Sequence, residues 1–203
     1  MEEVLLIPRI EIKLPSNLPQ DQIPIIIREI PKIDRRRHHR INAERLLLDF
    51  NVSKVYFKKV LDELESKGKI YKNIWKIKKI FYPNIFIDVL STKGTVLITL
   101  SLNFRNYNYF PPQVGFLTPD ERLIKSLNPN AIIPDNQGIK HLIKHNHGVW
   151  VCTPGTYEYH DFYFDLDRWE LERYGSTCNI IELINRIIGM IDRTNENVIE
   201  SAF

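Results

Sequence analysis

The chain has 203 residues, of which 43% are hydrophobic, and a formal net charge of +3 at pH 7. This length suits one full domain with an extension, and no apolar run is as long as a membrane-spanning helix. Two cysteines are too few for a disulfide framework, and so small a net charge does not by itself indicate nucleic-acid binding. The amino terminus has too short an apolar run for a signal peptide, so an intracellular, cytoplasmic location is expected.

Residues 1–41 are expected to form an extended, proline-rich and basic arm. Five of the twelve prolines lie between residues 1 and 34, and proline both fixes φ and removes a backbone donor. The run Arg35-Arg36-Arg37-His38-His39-Arg40 then carries the densest positive charge of the chain. Such a run is usually a solvated face or a linker, and it also suits docking on an acidic partner or on nucleic acid.

Residues 42–67 carry a helical pattern. Asn42 is a suitable cap for a helix over 43–50, and Ser53 for a second helix that Gly68 ends. In the second helix the apolar residues recur every three or four positions, at Phe57, Val60, Leu61 and Leu64. Two helices joined by a short turn and followed by a strand are also typical of a winged helix-turn-helix. A nucleic-acid-binding protein that acts through residues 35–75 is therefore one alternative.

Strands are predicted between residues 70 and 117. We expect them over 70–79, 84–90, 95–104 and 114–117, separated by turn residues such as those at 91–94. The third is the clearest, because alternation places one set of apolar side chains on a single face: Val96, Ile98, Leu100, Leu102 and Phe104. Short turns between strands favour an antiparallel meander. The expected fold is α+β, with a four-stranded antiparallel meander flanked by helices.

The segments after residue 117 give shorter signals. Thr118-Pro119-Asp120-Glu121 has the pattern of a capping box and predicts a short helix through Leu127. The aromatic and acidic stretch 157–169 shows no period and is interpreted as a loop. A final helix is expected to begin near residue 176 with Cys178 buried in it, and residues 194–203 are predicted to be a frayed tail.

Cys152 is the strongest candidate for a chemical role. It follows the apolar run Val149-Trp150-Val151, and His145, Asn146 and His147 lie just upstream. A thiolate is a strong nucleophile, and nearby donors or cationic rings favour the thiolate and orient an acyl group. The same histidines, together with His141, also offer zinc ligands, although without the paired spacing of a typical zinc site.

The order of motifs around this cysteine resembles that of the ubiquitin-conjugating enzymes. The resemblance covers residues 53–192: a meander that ends in Asn103-Phe104, then Phe110-Pro111-Pro112, then Gly148 through Cys152, then Trp169 and a closing helix. In that family a His-Pro-Asn tripeptide precedes the cysteine. This chain has no such tripeptide and carries His145-Asn146-His147 closer to Cys152 instead.

The resemblance implies a conjugating domain over residues 42–193 in which Cys152 carries a ubiquitin-like modifier as a thioester. Its implied partners are an activating enzyme, the modifier and, for some substrates, a ligase; no small cofactor, metal, membrane or nucleic acid is implied. Asn146 or a backbone N–H near Gly148 is expected to face the oxyanion. The residues expected to position the attacking amine or support the thiol are His145, His147, Tyr159, His160 and Asp161. The other alternative is a non-catalytic binding module of the same fold.

Overall fold

The structure is a computed structural model that describes residues 48–145, 148–162, 169, 173 and 179–200, with only the backbone at 145, 161 and 162. The predicted arm over residues 1–41 lies outside the described residues, as do the proposed cap at Asn42 and most of the helix over 43–50. Within the described part, no helix is long and apolar enough to cross a membrane.

The first described helix, α1, spans Phe50–Lys67. Its cap is Asp49, whose carboxylate accepts the N–H groups of Asn51 at 2.9 Å and Val52 at 3.3 Å. The predicted boundary at Ser53 is therefore wrong, and no turn separates two helices there. Ser53 does not cap because its hydroxyl is fully buried and donates to the carbonyl oxygen of Arg105. The chain therefore has no turn at residues 51–53, and the helix predicted before it lies largely outside the described residues.

Gly68 ends α1, as predicted, but for a reason that the sequence does not reveal. It has ordinary right-handed backbone angles and opens a short 3-10 helix, Gly68–Tyr71. A Cβ atom at this position would lie 2.9 Å from Cη2 of Trp75, so only glycine lets the indole approach the backbone. The first strand begins at Trp75, and not at residue 70, because the 3-10 helix and a turn occupy residues 68–74.

Four strands form an antiparallel sheet in the order of the chain. They are β1, Trp75–Phe81; β2, Asn84–Leu90; β3, Val96–Asn103; and β4, Gln113–Leu117. The register pairs Ile87 with Leu100 and Leu100 with Phe116, and all three side chains are fully buried. The predicted four-stranded meander is confirmed, as is the α+β class.

The carboxy-terminal helix α3, Ile180–Gly189, supplies much of the remaining core. Asn179 caps it, and its apolar residues are buried as predicted: Ile180, Ile181, Leu183, Ile184, Ile187 and Ile188. The predicted start near residue 176 and Cys178 lie outside the described residues. A partly buried hydrogen bond of 3.0 Å from Trp75 Nε1 to Asn185 Oδ1 joins β1 to α3.

Two predictions for the connecting segments are wrong. The expected helix from residue 118 to Leu127 does not form, because Glu121 adopts a φ of 67° and the chain turns back so that the Ile124 N–H bonds the carbonyl of Phe116. The expected frayed tail is ordered as far as residue 200. Val198 is only 1% exposed, and its carbonyl accepts the N–H of Asn128 next to a 3-10 turn at Pro129–Ala131.

Three further elements lie around the cysteine. Strands β5, Leu142–His145, and β6, Gly148–Val151, form a separate two-stranded antiparallel sheet. They are followed by the short helix α2, Tyr157–Phe162, where the sequence pattern indicated a loop. The aromatic and acidic side chains of this segment conceal its helical character because they carry no apolar stripe.

Candidate functional site around Cys152

Cys152 directly follows β6 and is a half-buried free cysteine. The hairpin register pairs Leu142 with Val151, so the buried side of the hairpin ends one residue before the thiol. Gly148 begins β6 with a φ of 125°, and its Cβ position lies 3.5 Å from the carbonyl oxygen of Ile124. A side chain there would strain the backbone, so this glycine fixes how the hairpin lies on the rest of the fold.

The amide of Cys152 is tied to the residue that precedes the hairpin. Its N–H donates to the carbonyl oxygen of His141 at 2.8 Å, which extends the pairing of β5 and β6 by one bond. This N–H is therefore occupied and does not point at a substrate. Any oxyanion that forms at the thiol needs a different donor.

His141 is in turn fixed by Asp135. The distance from His141 Nε2 to Asp135 Oδ2 is 2.9 Å, and the other carboxylate oxygen accepts the N–H groups of Gln137 at 2.8 Å and Ile139 at 2.9 Å. The hydrogen bond from His141, followed by those from the backbone, holds the pKa of Asp135 below its usual 3.8. The loop from Asp135 to His141 is thus closed on itself immediately beside the cysteine.

The turn after Cys152 is held by buried polar groups. The hydroxyl of Thr156 is shared between the carbonyl oxygens of Thr153, at 2.8 Å, and Val151, at 3.0 Å. His160 is 6% exposed, and its Nε2 accepts the N–H of Gly155 at 2.9 Å. This bond identifies Nε2 as the unprotonated nitrogen of the ring.

The same turn rests on α3. A guanidinium nitrogen of Arg186 donates to the carbonyl oxygen of Pro154 at 3.0 Å, and the Cβ position of Gly155 lies 3.4 Å from a methyl carbon of Leu183. Gly155 has a φ of 91°, which a residue with a side chain adopts only with strain. The cysteine therefore lies between two loops that the fold positions independently.

The Phe-Pro-Pro segment before β4 lies against α2. The N–H of Tyr157 donates to the carbonyl oxygen of Pro112 at 3.0 Å, and the ring of Phe110 lies 5.6 Å from that of Tyr157. Burial, followed by the charge of Glu158, raises the pKa of Tyr157 to about 12. Tyr157 consequently acts as a neutral packing residue and not as a proton donor near pH 7.

The structure describes the side chains of only some of the residues that were predicted to act around the cysteine. The backbone of His145 ends β5 and that of Asp161 lies in α2, whereas their side chains, with Asn146 and His147, lie outside the described residues. His160 points into the protein, where it holds Gly155. It therefore has a structural role in the turn that follows Cys152.

Sequence reasoning missed Asp135, and it considered His141 only as a metal ligand. The signal was the stretch Asp135-Asn136-Gln137-Gly138, a turn sequence whose first carboxylate characteristically bonds the amides that follow it. His141 comes three residues after that turn. The described residues hold no group of three or more His, Cys, Asp or Glu side chains arranged for a metal, and the side chains of His145 and His147 lie outside them.

A scan against models of protein families and a search of functionally characterised proteins both give no match to this chain.

Proposed function

We propose that the chain is a conjugating enzyme with a divergent ubiquitin-conjugating fold, which carries a ubiquitin-like modifier as a thioester on Cys152. The observation that carries this proposal is the position of the thiol. It is half-buried, it follows a strand, and loops on both sides of it are fixed by hydrogen bonds. The order of elements gives further support: the meander comes first, then the Phe-Pro-Pro segment, the cysteine and a closing helix.

The proposed reaction consists of two acyl transfers. The Cys152 thiolate attacks the carbonyl carbon of the modifier's terminal thioester, the new S–C bond forms, and the activating enzyme's thiolate leaves. An amine then attacks the same carbon, Cys152 leaves as the thiolate, and the amine loses a proton to a base or to water. The protein must therefore hold the thiol at the surface without burying the acyl group.

In this scheme His141 and Asp135 are positioning residues. His141 stands eleven residues before Cys152 and is bonded to it through the backbone, upstream of the thiol where the family carries its tripeptide. The contact with Asp135 keeps that backbone in place. Because the Cys152 N–H is occupied, the oxyanion donor must come from elsewhere, and Asn146 is our candidate from the sequence.

The test uses the purified full chain with ATP, an activating enzyme and a ubiquitin-like modifier from the same genome. We expect an adduct of chain and modifier on a non-reducing gel that disappears when a thiol reductant is added. Cys152→Ser should give an ester that resists the reductant and is cleaved by mild hydroxide. Cys152→Ala should give no adduct.

Cys178→Ser is the matched control because it removes the other cysteine and should leave the adduct intact. The proposal is abandoned if the adduct persists in Cys152→Ala, or if the folded chain forms none while the activating enzyme is charged with modifier. The latter result would favour the non-catalytic binding module.

A further inference from the structure

The first two turns of α1 carry a stripe of aromatic and basic side chains. Phe50, Lys54 and Lys58 are four residues apart, so they share one face of the helix over about 12 Å. All three are exposed, and Phe50 retains 45% of its surface. The ring of Tyr82, between β1 and β2, lies 5.3 Å from that of Phe50, edge to face. We call these four residues the basic aromatic stripe.

The lysines of this region lie over ring faces. The ammonium nitrogen of Lys54 is 4.2 Å from the ring centre of Phe50 and 5.9 Å from that of Tyr82. One turn further, Lys59 lies 5.4 Å from the ring of Tyr56. The stripe therefore places positive charges directly beside aromatic surface that water can reach.

Carboxylates are absent from the stripe itself. Between residues 49 and 61 the sequence has a single acidic residue, Asp49, and its carboxylate is occupied in capping α1. Asp62, four residues after Lys58, marks the end of the positive region. The lysines of the stripe are consequently available to an anionic ligand.

The small net charge of the whole chain conceals a concentration of positive charge in one segment. Residues 35–60 contain eight Lys or Arg and two Asp or Glu, so their net charge is eight minus two, or +6. The rest of the chain contains 20 basic and 23 acidic residues and is therefore at −3. Positive charge is therefore concentrated in residues 35–60, and the stripe includes two of the three lysines of that segment that the structure describes.

We propose that the basic aromatic stripe binds single-stranded nucleic acid. A base stacks on Phe50 beside Tyr82, and the ammonium groups of Lys54 and Lys58 pair with the flanking phosphates. A duplex keeps its bases stacked inside and offers no face to the ring. An anionic membrane is disfavoured, because it requires a broad apolar face and this one offers little beyond Phe50 and Val55.

The experiment measures fluorescence anisotropy of a labelled 20-nucleotide oligo-dT, the matching 20-base-pair duplex and phosphatidylserine vesicles with the full chain at 50 mM salt. We expect oligo-dT to bind with a dissociation constant in the micromolar range, up to about 100 μM. Phe50→Leu should weaken that binding about tenfold, because leucine keeps an apolar side chain but has no face for stacking. Lys54→Gln with Lys58→Gln should reduce the slope of log affinity against log salt by about 1.4.

The matched control removes the same charge from two other exposed lysines, through Lys93→Gln with Lys125→Gln, and should change affinity less than twofold. Melting curves verify that every variant is folded. The proposal is overturned by absence of oligo-dT binding, by equal effects of the two double variants, by an unchanged affinity in Phe50→Leu, or by tighter binding to duplex or vesicles.

Discussion

Cys152 and His141 are joined by a 2.8 Å hydrogen bond from the amide of the first to the carbonyl of the second. Through His141, the cysteine is linked to the Asp135 carboxylate 2.9 Å from the imidazole. The position of the thiol therefore depends on an ionisable group seventeen residues earlier in the chain. This dependence gives the first of four predictions.

Asp135 should contribute stability that depends on pH. Its pKa is below 3.8 in the folded protein, chiefly because His141 bonds the carboxylate, and it returns to its ordinary value on unfolding. The contribution is thus fully present above about pH 4 and is lost as the pH falls through the folded pKa. Asp135→Asn should lower the urea midpoint at pH 7, and the deficit should shrink as the pH is lowered below 4.

Urea titrations at pH 7, 4 and 3 measure this deficit. Glu65→Gln, on the exposed side of α1, is the control. Its urea midpoint should differ little from that of the parent protein at each pH. A deficit of Asp135→Asn that stays constant across the three pH values would contradict the assigned role.

The Thr156 hydroxyl should stabilise the turn that follows the cysteine. Thr156 is fully buried, and Thr156→Val keeps its shape while it removes the donor shared by two carbonyl oxygens. We expect a loss of about 1–3 kcal/mol of unfolding free energy. In a Cys178→Ser background, Cys152 should also react faster with a thiol reagent because the turn beside it opens more often. Thr92→Val, at an exposed position, should change neither quantity.

Replacing Gly68 by alanine should destabilise the protein, whereas replacing Gly189 by alanine should not. In Gly68→Ala the new Cβ meets the Trp75 ring at 2.9 Å, so we expect a loss of about 1–3 kcal/mol. Gly189 lies in α3 with nothing within 4 Å of its Cβ position, so Gly189→Ala should be neutral or stabilise by up to about 1 kcal/mol. Thermal melting of both variants checks this contrast, and equal losses would refute the packing argument at Gly68.

Ser53 and Tyr82 should be energetically coupled. The Tyr82 hydroxyl donates to Ser53 Oγ at 2.8 Å, and Ser53 donates onward to the carbonyl of Arg105. Ser53→Ala should cost about 1–3 kcal/mol, since it removes a fully buried hydroxyl and leaves the partly buried Arg105 carbonyl without this donor. In a double-mutant cycle with Tyr82→Phe, we expect a coupling energy of at least about 0.5 kcal/mol. Additive effects would show that the two hydroxyls act independently.

The sheet was predictable because β1, β2 and β3 have seven or eight residues each and β3 carries a clear alternation. In β3 apolar and polar residues alternate from Ile98 onward, and Ile98, Leu100 and Leu102 are fully buried. In contrast, β5 and β6 have four residues each and are separated by polar residues, so no period develops. Strong patterns identified the scaffold, whereas the hairpin that presents the cysteine had none.

The candidate site was predictable only in part. The sequence identified Cys152, but the Asp135 to His141 contact spans a loop, and loop closure depends on bonds that composition does not encode. Helix α1 was divided wrongly at Ser53 because serine is a good cap in isolation. Its hydroxyl instead bonds a carbonyl 52 positions away, a partner that no local pattern reveals.

The contact between residues 127–132 and the end of the described chain has a consequence for synthesis. Leu127 pairs with Ile199, and Ile132 pairs with Ile191, so these apolar residues gain their partners about sixty to seventy residues later. On a ribosome that adds about 5–20 residues each second, the earlier segment waits several seconds with its apolar side chains uncovered. Products that stall before Ile191 should therefore be recognised by chaperones or proteases, even though the whole four-stranded sheet has already been made.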